Sequence, residues 1–145
     1  MDFAVIRGIR ILICRFGLYL MFSIKRLLKS FKTAFEGVFF VFKSEPNFRL
    51  QILFAILVLA LSYIFQIRTY EWIVVILLII MVLTMEILNT AIEQFTDLLK
   101  PRLHHYVKAI KDIMAASVVM TSLGAFIVGL IIFWPHFFAL INEIK

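Results

Sequence analysis

Hydrophobic positions dominate three long stretches of the chain. Ile52 to Leu61 and Ile73 to Leu83 carry no polar side chain at all, and Ile113 to Trp134 carries only serine and threonine. A bilayer core of about 30 Å needs roughly 20 consecutive apolar residues in a helix. The pattern therefore predicts transmembrane helices at about 47–66, 72–92 and 113–134, the second continuing as a helix to Asp97 or beyond. Upstream, Lys25, Lys29, Lys32, Glu36 and Lys43 recur at helical pitch. Leu28, Phe31, Phe35, Val38 and Phe42 cover a broad arc beside them, which predicts an amphipathic surface helix with Gly37 as a weak point. Between this helix and the first span lies Ser44-Glu45-Pro46-Asn47, read as a break with Ser44 as N-cap and Pro46 in the first turn. A turn over Ile67 to Glu71 separates the first two spans. Lys100-Pro101 is expected to end the second helix, a polar basic loop follows to Asp112, and Pro135 is expected to close the third span.

Residues 1–22 are apolar but interrupted by Arg7, Arg10 and Arg15, with no small-residue cleavage site after them. They are expected to form a basic amphipathic extension on the membrane surface, in preference to a signal anchor or a further span. Residues 23–145 then form the membrane domain. The fold class is all-α integral membrane.

Composition agrees. The chain of 145 residues is 63% hydrophobic with a mean hydropathy of +1.04, against about 45–50% apolar residues in soluble domains. The formal charge of +6 resides in Lys and Arg that flank apolar runs, the pattern of orientation and headgroup contact, so no nucleic-acid partner is expected. Basic residues are dense in the N-terminal region and in the loop from Leu98 to Asp112, while the turn between the first spans has only Arg68. This predicts a multi-pass protein of the inner (cytoplasmic) membrane with its N-terminus in the cytoplasm. Cys14 is the single cysteine and has no partner for a disulfide or a thiolate metal site.

Against this background the stretch from Met85 to Asp97 is anomalous. At helical pitch Glu86, Asn89, Thr90, Glu93 and Asp97 share one face that carries no cation. A carboxylate within the lipid zone costs about 2.5–3.5 kcal/mol, and like-charge neighbours add to that cost, so a divalent cation or a bound proton is expected. Glu45 stands at the same membrane surface as Glu93, with Lys and Arg opposite. Carboxylates that hold a hard cation, cations for phosphates and a deeper carboxylate as base are the parts of phosphoryl transfer to a lipid alcohol. No Gly-rich phosphate loop is present. His104 and His105 are read as solvated rather than metal-binding, and Ala115, Ala116 and Ser117 as a close-packing face. Two non-enzyme readings are a small channel and an assembly protein. The former is disfavoured because Trp72 to Leu83 offers no polar path.

Glu86-Ile87-Leu88-Asn89-Thr90-Ala91-Ile92-Glu93, followed by Asp97 and by Lys111-Asp112, resembles the prokaryotic diacylglycerol kinase family, which includes undecaprenol kinases. The resemblance runs from about Lys25 to Pro135. It implies a homotrimer of three-span subunits with active sites between neighbours, using ATP with Mg²⁺. It also implies that Glu86 is the catalytic base, that Asn89 orients the reacting groups, and that Glu45 and Glu93 hold the metal. Arg26, Glu45, Glu93, Asp97, Arg102, His104, Lys111 and Asp112 fall at nucleotide positions, and Glu45, Phe48, Arg49 and Glu86 at lipid-substrate positions. Glu45-Pro46-Asn47-Phe48 is closer to the undecaprenol kinases, Arg49 to the diacylglycerol enzymes, and Gln51 stands where the latter have a carboxylate. Undecaprenol is the expected acceptor, with diacylglycerol as the alternative.

Overall fold

The computed structural model describes residues 3–99 and 104–144, with side chains at 24–98, 106–140 and 142. Four helices make up these residues: α1 (Phe3–Ser44), α2 (Pro46–Ile64), α3 (Thr69–Leu99) and α4 (His104–Ile144). The chain divides into two compact units, Met1–Phe40 and Val41–Lys145.

The first unit is helical throughout its described length. Two separate segments were expected here, but α1 passes through residues 22–25 and through Gly37 without a break. A helical glycine costs about 1 kcal/mol relative to alanine, too little by itself to interrupt a helix of 42 residues. The side chains from Ile24 to Phe40 are exposed, and Lys32 pairs with Glu36 one turn on at 3.9 Å. The side chains of the extension 1–22 lie outside the described residues.

In the second unit α2, α3 and α4 are each long and apolar enough to cross a membrane. α3 is central and packs against α2 on one side and α4 on the other. Its core lies toward the end away from the acidic face, where Ile67, Val75 and Ile132 are buried together with Val58, Phe65 and Trp72 packed against them. Most other large apolar side chains point outward, Leu53, Leu77, Phe126 and Ile131 among them, as they do where lipid or another apolar surface is the solvent.

The helix ends correct several expectations. The N-cap of α2 is Glu45, in extended conformation and without a side-chain cap bond, rather than Ser44. Ser44 Oγ instead donates back to Val41 O (3.3 Å) and finishes α1. The turn after α2 is tighter than expected. Ile67 N donates to Ser62 O (3.3 Å) and Gln66 N to Tyr63 O (3.2 Å), with Gln66 at φ 49°. This is a Schellman ending with a left-handed residue, usually glycine, at its corner. α3 then starts at Thr69, where Glu71 Oε2 accepts from the Arg68 amide (2.7 Å), the return half of a capping box.

The expected loop to Asp112 is helical from His104 onward, so Lys108, Lys111 and Asp112 ride on the first turns of α4. Pro135 does not close this helix but sits inside it. A proline within a helix removes one N–H, and His136 next to it bonds its own helix through Nδ1 and Ile132 O at 2.9 Å. His136 Nε2 lies 3.4 Å from the buried Glu71 carboxylate, which ties α4 to the start of α3.

Candidate active site

The acidic face forms as its spacing predicts, and α2 completes it. Glu86 is only 3% exposed. Its Oε2 accepts a hydrogen bond from Gln51 Nε2 at 3.0 Å, across the contact between α2 and α3. One turn further, Asn89 Nδ2 donates to Glu93 Oε1 (3.1 Å), which fixes the Glu93 carboxylate. Thr90 and Thr96 are buried on the same helix, and their hydroxyls bond the carbonyls of Glu86 (3.0 Å) and Glu93 (2.9 Å). Such back-bonding satisfies a buried hydroxyl within its own helix and leaves the carboxylates free for other partners.

Helix register brings the outer carboxylates together. Glu45 precedes Gln51 by six residues, and Glu93 follows Glu86 by seven. In an antiparallel helix pair at 1.5 Å per residue, these offsets of about 9 and 10 Å carry Glu45 and Glu93 to one level. Both carboxylates lie toward the end of the helix pair where α2 begins, beyond Glu86 and Gln51. Glu45 and Glu93 thus share a level about two helical turns from Glu86.

The remaining expected residues divide into those on the site's helices and those elsewhere. Lys111 Nζ, on α4, meets Asp97 Oδ1, on α3, at 2.7 Å, and closes the same end of the unit. Asp112 and Arg49 are exposed, whereas Phe48 is buried in the second unit. Arg26 belongs to the first unit, where its side chain is exposed and its carbonyl accepts from Ser30 Oγ (3.0 Å). Arg102 and the His104 side chain lie outside the described residues.

Among the described residues two buried side-chain oxygens have no hydrogen-bond partner: Gln51 Oε1 and Asn89 Oδ1. Both belong to amides whose nitrogens hold the carboxylates. Among the described residues no group of three or more His, Cys, Asp or Glu side chains is placed to hold a metal ion. The donors on this end are of the type Mg²⁺ takes: Glu93 with the unpaired Asn89 oxygen on the same turn of α3, and Glu45 at the same level, since Mg²⁺ needs only one or two carboxylates and fills its octahedron with phosphate and water oxygens.

A bundle of membrane-spanning helices with a buried carboxylate, two more at its rim and cations nearby defines a class of enzyme that works where lipid meets water. The chain belongs to the prokaryotic diacylglycerol kinase family, whose sequence model it matches over residues 32–133. It is 35% identical over 113 residues to an undecaprenol kinase of Bacillus subtilis, covering 78% of this chain and 92% of the relative. It is 32% identical over 104 residues to a diacylglycerol kinase of a Synechocystis species, covering 71% of this chain and 59% of that protein. No solved structure matches the chain significantly. The protein is a multi-pass membrane lipid kinase.

Proposed function

We propose that the protein transfers the γ-phosphoryl group of ATP to undecaprenol, with Glu86 as the base. The observation that carries this reading is a carboxylate 3% exposed in an apolar helix and held by an amide from the neighbouring helix. A buried charge of that kind is costly, and proton transfer is the task that requires it. Glu86 takes the hydroxyl proton as the lipid oxygen bonds to the γ-phosphorus. The bond from that phosphorus to the β-γ bridging oxygen breaks, ADP leaves, and the proton passes from Glu86 to water.

Glu45 and Glu93 would hold Mg²⁺, which supplies charge neutralisation to the β- and γ-phosphates when bound. Asn89 fixes Glu93 and presents its free oxygen to the reacting groups. Lys111, with Asp97 and Asp112, takes the nucleotide, and Arg26, Arg102 and His104 join it by the family resemblance. That resemblance also carries the homotrimer and the placement of the N-terminus and the site on the cytoplasmic side of the inner membrane.

Undecaprenol is favoured by the higher identity and fuller coverage of the undecaprenol kinase relative. The neutral Gln51 beside Glu86 leaves the pocket less charged for a bare hydrocarbon alcohol. Phe48, buried, shapes the helix wall rather than meeting bulk lipid. Diacylglycerol is the second reading, favoured by exposed Arg49 as a donor to ester carbonyls. Purified protein given both lipids in the same micelles at equal mole fraction is expected to show the higher kcat/KM for undecaprenol. The reverse ranking selects diacylglycerol, and activity on neither removes the lipid-kinase roles assigned to these residues.

A further inference from the structure

Gln51 is the one uncharged side chain that α2 hydrogen-bonds to the acidic cluster. Its Nε2 donates to Glu86 Oε2 at 3.0 Å, while its own Oε1 is buried without a partner. An unpaired buried acceptor costs about 1–3 kcal/mol. Turning the amide over would not remove that cost, because it would set Oε1, an acceptor, against a carboxylate oxygen, also an acceptor. The donor is therefore committed to Glu86 by the electrostatics around it.

The bond has a second consequence. It engages one carboxylate oxygen from one direction, and so it fixes the rotation of the Glu86 carboxylate about its last bond. Terminal torsions of this type are broad. A base that must meet a hydroxyl at hydrogen-bond distance gains from having that torsion set. Thr90 does not do this, since its hydroxyl bonds the Glu86 main-chain carbonyl and not the carboxylate.

We propose that Gln51 is a positioning residue for proton transfer, holding the Glu86 carboxylate through Nε2 so that its other oxygen, Oε1, faces the acceptor hydroxyl. This rests on Glu86 being the base. A neutral donor is the suitable partner, because it stabilises the ionised carboxylate without adding charge to a group of three.

The test uses the full-length protein in detergent micelles with MgATP and whichever of undecaprenol and diacylglycerol it phosphorylates. Gln51→Leu removes the donor at similar size, and Gln51→Asn keeps an amide that is one methylene too short. Both are expected to lower kcat about tenfold, the worth of one hydrogen bond to a charged group. KM for ATP should stay within twofold. In a Glu86→Gln background, Gln51→Leu should cause no further loss. If either folded variant keeps the wild-type kcat, or if Gln51→Leu lowers the rate further in the Glu86→Gln background, the positioning role is overturned. If Glu86→Gln is itself near full activity, the base assignment fails instead, which separates the two claims.

Discussion

Lys111 and Asp97 meet at 2.7 Å and join the first turns of α4 to the last turns of α3. The pair is partly exposed, so its share of stability is small, about 0–1 kcal/mol. Under the proposed function its position at the end of the acidic face gives it a second use, the ammonium exchanging that carboxylate for a phosphate of the nucleotide. Lys111→Met should leave thermal stability nearly unchanged and raise KM for ATP about tenfold, the worth of one charge-assisted contact. ATP titration of initial rates checks this, and an unchanged KM would return Lys111 to a purely structural role.

Glu45 and Glu93 reach one level from two antiparallel helices, and Asn89 fixes the latter. Removing either carboxylate should weaken Mg²⁺ binding and raise the Mg²⁺ concentration for half-maximal rate by a similar factor. Asn89→Leu should give a smaller shift in the same direction, because Glu93 remains but is no longer held. The measurement is a Mg²⁺ titration at saturating ATP for Glu45→Gln, Glu93→Gln and Asn89→Leu. A normal titration for folded Glu93→Gln would remove the metal pairing.

Gln66 occupies the left-handed corner of the α2 ending at φ 49°. A side chain there costs about 1–2 kcal/mol relative to glycine. Gln66→Gly should therefore stabilise the protein by about 1 kcal/mol, less the entropy glycine adds to the unfolded chain. Denaturation in a fixed detergent reads the change, and activity should be unaffected because the turn lies at the opposite end of α2 from Glu45.

Glu71 accepts the Arg68 amide and lies 3.4 Å from His136 Nε2. Glu71→Ala leaves both without this partner. It should destabilise the α3–α4 contact by about 1–3 kcal/mol, read as an earlier thermal transition with little change in KM for ATP.

The sequence made the three spans and the acidic face legible for a simple reason. Apolar runs of bilayer length have few alternatives, and a helix repeats its faces predictably, so Glu86, Asn89, Thr90 and Glu93 had to align. What it did not reveal depends on contacts between distant residues. Gln51 was visible as a departure from the carboxylate pattern, yet its bond to Glu86 spans 35 positions. The Glu71–His136 contact joins positions 65 apart, and its only signal was a lone acid and a lone imidazole at the two ends of apolar helices. The start of α4 looks like loop in sequence because Lys108, Lys111 and Asp112 are polar, although Val107 just before them is buried. Gln66 left no trace of its turn because no glycine marks it.

The central claim is that Glu86 accepts the proton from the lipid hydroxyl. Glu86→Gln keeps the side chain's size and its capacity for hydrogen bonding but cannot take a proton. The most direct test is the single-turnover rate of phosphoryl transfer from γ-labelled ATP to the lipid in this variant, alongside nucleotide binding by the same preparation. A fall of about 10²–10⁴-fold in rate with nucleotide affinity retained is predicted. A near-normal rate in a folded variant would contradict the account and make Glu86 a structural residue.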